Sequence, residues 1–147
     1  MFTYNIHEKP NIELNSKTIN FIFEKIDILV KKTQKWTLNI VFVDDISIKK
    51  LNNKYRKINK VTDVLSFHYF NDFKKLNNED IVWEIVMNYN KILEQSQEYK
   101  LTPEKEFYKL LIHSILHITW YDHIKDNDYT IMSALEKTIW QEVFEKK

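Results

Sequence analysis

Three histidines stand at positions 113, 117 and 123, in the run HSILHITWYDH. Two imidazoles four residues apart on a helix share one face, one turn above the other. Both can reach a single ion, and a chain that turns back after the helix can bring His123 to the same point. Zinc takes neutral imidazole nitrogen, and catalytic zinc sites combine three protein ligands with one open position. Imidazole also suits nickel, copper and iron. Metzincin proteases share this spacing, but they carry a glutamate beside the first histidine as general base. Here that position is Ser114, which disfavours a peptidase. Asp122, next to His123, is a candidate to accept a hydrogen bond from a ligand ring and fix its orientation. The plain alternative is a set of hydrogen-bonded histidines that fell into an apolar helix.

A second feature is Arg56, the single arginine among 22 basic residues. A guanidinium can grip a phosphate through two parallel hydrogen bonds, where lysine supplies charge without the planar fork. Arg56 sits in KKLNNKYRKINK at 49–60, a run without an acid. Lys50, Lys54 and Lys57 are expected on one helical face, opposite Leu51, Tyr55 and Ile58. Such a stripe can track a phosphate backbone, although a solvated helix face reads the same way. The formal net charge of the chain is only +1, so any electrostatic case for nucleic acid is local. Aromatic residues make up 14%, but most fall at core spacing, so the sequence alone does not single out a base-stacking platform. Ser66 and His68 read as ordinary sheet residues that could line a cleft.

These residues need elements to position them. Residues 103–119 form a helix that starts at Thr102 and Pro103, with Glu104 and Glu106 in its first turn, where the helix dipole favours acid. From Leu110 to Ile118 only His113, Ser114 and His117 are not apolar, which marks a buried helix. Residues 16–33 form an amphipathic helix capped by Ser16, with Ile19, Ile22, Phe23, Ile26, Leu29 and Val30 at helical spacing. Residues 37–43 read as a strand, and Asp44 or Asp45 caps a helix over 45–56. Residues 63–69 and 80–88 are further strands, joined by a polar turn-like segment at 70–79. From residue 89 onward the pattern is helical: 89–100, 103–119 and 128–145, the last with Met132, Leu135, Ile139 and Val143 on one face. The expected class is α+β: a single domain over 1–147 with one small mixed sheet packed against helices, and the metal site on a buried central helix.

The chain has 147 residues and no cysteine, which excludes disulfides and thiolate ligands. It shows neither a signal-peptide core nor a membrane span, so a cytoplasmic protein without a membrane partner is expected. It also has no glycine. Turns must rely on asparagine, aspartate and two prolines.

Taken together, the motifs resemble one family. HSILHITWYDH is similar to the H-G-x-L-H-L-x-G-Y-D-H signature of the YbeY endoribonucleases, which act in ribosomal RNA maturation. YRKINKVTDVLSF at 55–67 resembles that family's Y-R-x-x-[D/N]-x-P-T-D-V-L-S-F stretch, and EDIVWEIVMN at 79–88 is similar to its G-D-I-x-I strand. The departures, Ser114, Trp120, Val61 and Glu79, each replace a glycine or proline, in keeping with the glycine-free composition. At Trp120 the turn is expected either to avoid positive φ or to accept roughly 1–2 kcal/mol of strain.

The resemblance implies that His113, His117 and His123 bind one zinc-like ion and that Arg56 is the functional arginine. It implies a single-strand-specific, zinc-dependent endoribonuclease that matures the 3′ end of small-subunit ribosomal RNA and serves ribosome quality control. Single-stranded RNA, the ribosome and ribosomal proteins are the implied partners. Two other readings keep the histidines: a non-catalytic, ribosome-associated RNA-binding module, and a metal-dependent hydrolase of another ester.

Overall fold

The computed structural model describes residues 2–30, 36–68, 81–120 and 129–145. In chain order they form β1 (Phe2–His7), α1 (Ser16–Val30), β2 (Trp36–Val43), α2 (Asp45–Arg56), β3 (Val64–His68), β4 (Ile81–Asn88), α3 (Tyr89–Glu98), α4 (Pro103–Trp120) and α5 (Tyr129–Trp140), followed by a π-helical turn (Gln141–Glu145). The class is α+β with one mixed sheet, as expected. Among the described residues no helix is long and apolar enough to cross a membrane.

The strands lie in the order β1-β2-β4-β3. β1 and β2 run parallel, as do β2 and β4, while β3 pairs antiparallel to β4. β1 has no counterpart in the sequence reading. Its FTYNIH pattern alternates over only six residues, and one side of the alternation is polar. That side is satisfied by cross-strand partners: Thr3 and Thr37 share a hydroxyl hydrogen bond of 3.1 Å, and Asn5 Nδ2 donates to Asn39 Oδ1 at 3.3 Å.

Strand alternation sends residues to two faces with different cover. On one face Leu38, Ile40 and Phe42 of β2 and Trp83, Ile85 and Met87 of β4 pack with Ile19, Ile22, Phe23 and Ile26 of α1 and Phe107, Leu111 and Ile115 of α4. On the other face a smaller cluster forms around Ile48 of α2, Leu65 of β3 and Val86 of β4. The apolar stripe expected on the last helix is also present: Met132 and Ile139 are buried, with Leu135 and Val143 packed beside them.

Helix ends are set by side-chain caps. At α1 the cap is Asn15, not the expected Ser16: Asn15 Oδ1 accepts from the amides of Lys17 and Thr18, and its carbonyl accepts from Ile19. Ser16 already lies inside the helix. Asp44 caps α2 by accepting from the Ser47 amide at 2.8 Å, and Thr102 Oγ1 accepts from the Lys105 amide at the head of α4. Without glycine, left-handed backbone among the described residues falls to Glu8, Lys57 and Lys100, each with φ of 56–57°. A side chain in that region costs roughly 1 kcal/mol or more.

Candidate active site

Two joints bring the candidate residues together. The first is the end of α2. Lys57 caps the helix in left-handed conformation (φ 57°, ψ 32°), with its amide on Asn53 O, while the Ile58 amide returns to Asn52 O. Asn52, buried under this turn, donates from Nδ2 to Lys60 O at 2.9 Å. Arg56 is the last helical residue before the reversal, so its direction is set by a cap and a buried amide. The same reversal corrects the expected basic stripe. Lys50 and Lys54 remain on the exposed side of α2, but Lys57 leaves the helical register at the cap. Tyr55 is not on a buried face either: its ring is 57% exposed.

The second joint is the corner before β3. Asp63 Oδ1 accepts from the Val64 amide at 2.8 Å and from Thr62 Oγ1 at 3.3 Å, and its Oδ2 accepts from Gln95 Nε2 of α3. Its carbonyl accepts from the Asn88 amide. Asn88, fully buried, caps α3 by accepting from the Lys91 amide and donates to Asp45 Oδ1 at 2.7 Å. These bonds tie the edge strand β3 to α2, α3 and the end of β4.

The result is a cleft of about 600 Å³ between the edge strand β3, the end of α2 and the histidine side of α4. Arg56, Asp63, Ser66, His113, Ser114 and His117 all line it. Ser66, expected as an ordinary sheet residue, therefore does face the cleft. For His68 only the backbone, at the end of β3, is described.

His113 and His117 stand as stacked rings, with centroids 6.4 Å apart and planes 11° from parallel. Their environments pull them in opposite directions. A hydrogen bond between His113 Nδ1 and Glu136 Oε1 of α5, together with the charge of that carboxylate, raises the His113 pKa against the opposing effect of burial. Burial lowers that of His117, and the nearby charges of His113 and Arg56 push the same way. These effects favour the neutral form of His117, the form in which imidazole ligates a metal. In its neutral form, with Nδ1–H donated to a carboxylate, His113 keeps the Nε2 lone pair for another partner, the usual arrangement behind a metal-bound histidine. This donor chemistry fits an imidazole-bound cation.

Among the described residues no group of three His, Cys, Asp or Glu is placed to hold a metal. His123 and Asp122 lie outside the described residues. α4 itself continues in helical conformation through Trp120, and Trp120 is not among the residues of positive φ. The turn that follows lies outside the described residues.

Glu136 was missed by sequence reasoning, although a signal for it exists. It falls between Met132 and Ile139 at helical spacing, an acid within the apolar stripe of α5. Glu106 stands in the first turn of α4, as expected, and is fully buried there. Burial raises its carboxyl pKa even though Lys109 Nζ lies 3.5 Å away.

Known proteins resemble this chain along most of its length. The family described as Endoribonuclease YbeY matches residues 3–143. Endoribonuclease YbeY of Clostridium beijerinckii is 33% identical over 90% of this chain and 92% of its own length. The protein of the same description from Mycoplasma mobile is 34% identical over 86% of this chain and 84% of its own. A Thermotoga maritima protein solved in solution superposes with a TM-score of 0.61 at 30% identity, covering 97% of this chain and 90% of that one.

Proposed function

The chain belongs to the YbeY endoribonuclease family, and from that premise we propose that it cleaves phosphodiester bonds of single-stranded RNA in ribosomal RNA maturation, using a metal ion, zinc by preference. The observation that carries this reading is the convergence of Arg56 with His113 and His117 on one cleft, from elements 57 residues apart in sequence (Arg56 to His113).

In this reading His113, His117 and His123 hold the ion. A bound zinc ion polarises a phosphoryl oxygen and lowers the pKa of a bound water. The chain's own residues do the rest. Glu136 accepts the Nδ1 proton of His113 and so fixes which ring nitrogen faces the cleft. Burial and the neighbouring cations keep His117 unprotonated. Arg56 offers two parallel N–H donors to the phosphate and stabilises charge as it builds on the oxygens. Lys50 and Lys54 on α2, and Lys57 at its cap, supply the positive approach for flanking phosphates. Asp122 keeps its expected role behind a ligand ring. The ribosome and its proteins are the proposed setting for the substrate.

The test pairs cleavage of a single-stranded RNA with metal content per chain, for wild type and Arg56→Ala. The expected result is one ion in both proteins and cleavage in the wild type alone. Cleavage retained in the variant removes Arg56 from the mechanism. RNA bound but not cut by the metal-loaded wild type replaces the nuclease with an RNA-binding module.

A further inference from the structure

We propose that Tyr55 and Phe67 form a nucleobase-stacking subsite at the Arg56 end of the cleft, where an unpaired base of the RNA is held while its phosphate lies on the guanidinium. The inference deepens the nuclease reading above and rests on it. Three observations carry it.

First, the two rings meet edge to face, with centroids 4.9 Å apart and planes 63° from parallel, and both line the same cleft as Arg56, His113 and His117. Second, the pair is anchored on one side and open on the other. Phe67 packs against the small cluster of Ile48, Leu65 and Val86. Tyr55 stays 57% exposed. Third, the surroundings are cationic. Lys54 Nζ lies 5.2 Å from the centroid of the Tyr55 ring, and Arg56 is the next residue in the chain.

Position in the sheet gives the pair a direction. In the antiparallel register Ser66 stands opposite Ile85, on the face that α4 covers, and Phe67 stands opposite Glu84, on the α2 face. β3 is the edge of the sheet. A single strand crossing that edge would have its reacting phosphate on the imidazole side and a neighbouring base on the α2 side, against Tyr55. A duplex keeps its bases stacked on one another and cannot supply that ring. The pair is therefore a selector for unpaired RNA, and because every base has a π-face, the preference is for being unpaired rather than for one sequence.

The experiment uses the full chain loaded with zinc. Fluorescence anisotropy compares a short oligouridylate with the same ribose-phosphate chain made abasic, for wild type, Tyr55→Ala and Tyr55→Phe. The wild type and Tyr55→Phe should prefer the base-bearing strand by about tenfold or more. Tyr55→Ala should lose that preference while binding the abasic strand as before. Because the ring is exposed, Tyr55→Ala should fold, as circular dichroism will show. An equal preference in wild type and Tyr55→Ala overturns the stacking subsite and leaves the nuclease reading intact. A wild type that binds neither strand and cuts no RNA overturns both.

Discussion

The two flanks of α4 are treated in opposite ways. On one, Phe107, Leu111 and Ile115 are buried without remainder against the sheet and α1. On the other, His113 and His117 look into an open cleft, where Arg56, Thr62, Asp63, Ser66 and Ser114 stand beside Val64, Leu65 and Phe67. The first flank is non-directional apolar packing, whose strength scales with area. The second is directional, with several polar groups held by named partners: His113 by Glu136, Asp63 by Val64 and Gln95, and Asn52 by Lys60. The contrast teaches that rigidity and chemistry are separable here. The packed flank holds the helix, and the helix spacing holds the rings.

If the separation is real, substitutions on the two flanks should have effects of different kinds. The largest is expected from Phe107→Ala, which empties a fully buried site and should destabilise the fold by about 3–5 kcal/mol. Thermal unfolding reads this as a lower Tm, while cleavage per folded molecule should hold. Arg56→Ala should do the reverse: cleavage falls about 10²–10³-fold, with stability changed by no more than about 0.5 kcal/mol. A large loss of Tm in that variant would mean that Arg56 belongs to the structural flank.

Glu136 sits where the flanks meet, since α5 carries it within an apolar stripe. Glu136→Gln keeps the size but not the charge, and should weaken zinc binding about 10–100-fold in a chelator competition. It should also change how the metal-free protein responds to pH. A group whose pKa is raised on folding stabilises the fold fully below its unfolded value and loses that contribution as pH rises through the folded one. His113 behaves so, from an ordinary value of 6.5 upward, because of Glu136. His117 runs the other way: its contribution is present above 6.5 and lost as pH falls through its lowered folded value. Glu136→Gln should flatten the fall in Tm on the alkaline side of 6.5 and leave the acid side unchanged. An unchanged alkaline limb would sever the link between the two residues.

The smallest effect tests the packed flank for a hidden polar component. The Glu106 carboxyl is raised above 4.5 by burial, so its stabilising contribution is present below that value and fades as pH climbs through its folded pKa. Glu106→Gln removes the ionisation. The variant should unfold at slightly higher temperature than wild type at neutral pH and match it in acid.

Much of this was legible in the sequence, for physical reasons. α1, α2 and the helices from residue 89 onward announce themselves by apolar residues at helical spacing, and β2 and β4 by apolar runs. His113 and His117 were found by a spacing that only a helix makes meaningful, and Arg56 by being alone. What escaped depends on contacts between distant segments. β1 needs β2 to satisfy Thr3 and Asn5. Glu136 matters only because α5 brings it to His113, 23 residues away in sequence. A helical wheel places Tyr55 with Leu51 and Ile58 opposite the lysines, but it assumes that the helix continues, whereas α2 ends one residue later. Asn15 displaced Ser16 as a cap because two residue types with the same chemistry stood side by side.

The strand order has a consequence for how the protein is made. β4 lies between β2 and β3 in the sheet yet follows both in the chain. During synthesis at roughly 5–20 residues per second, β2 can pair with β1 but leaves the ribosome seconds before β4 exists, and β3 has no strand to pair with until Asn88 has emerged. The strand that borders the cleft is thus the last to be enrolled, and the nascent chain carries two unpaired edges through that interval, when strand edges are most open to pairing with other chains.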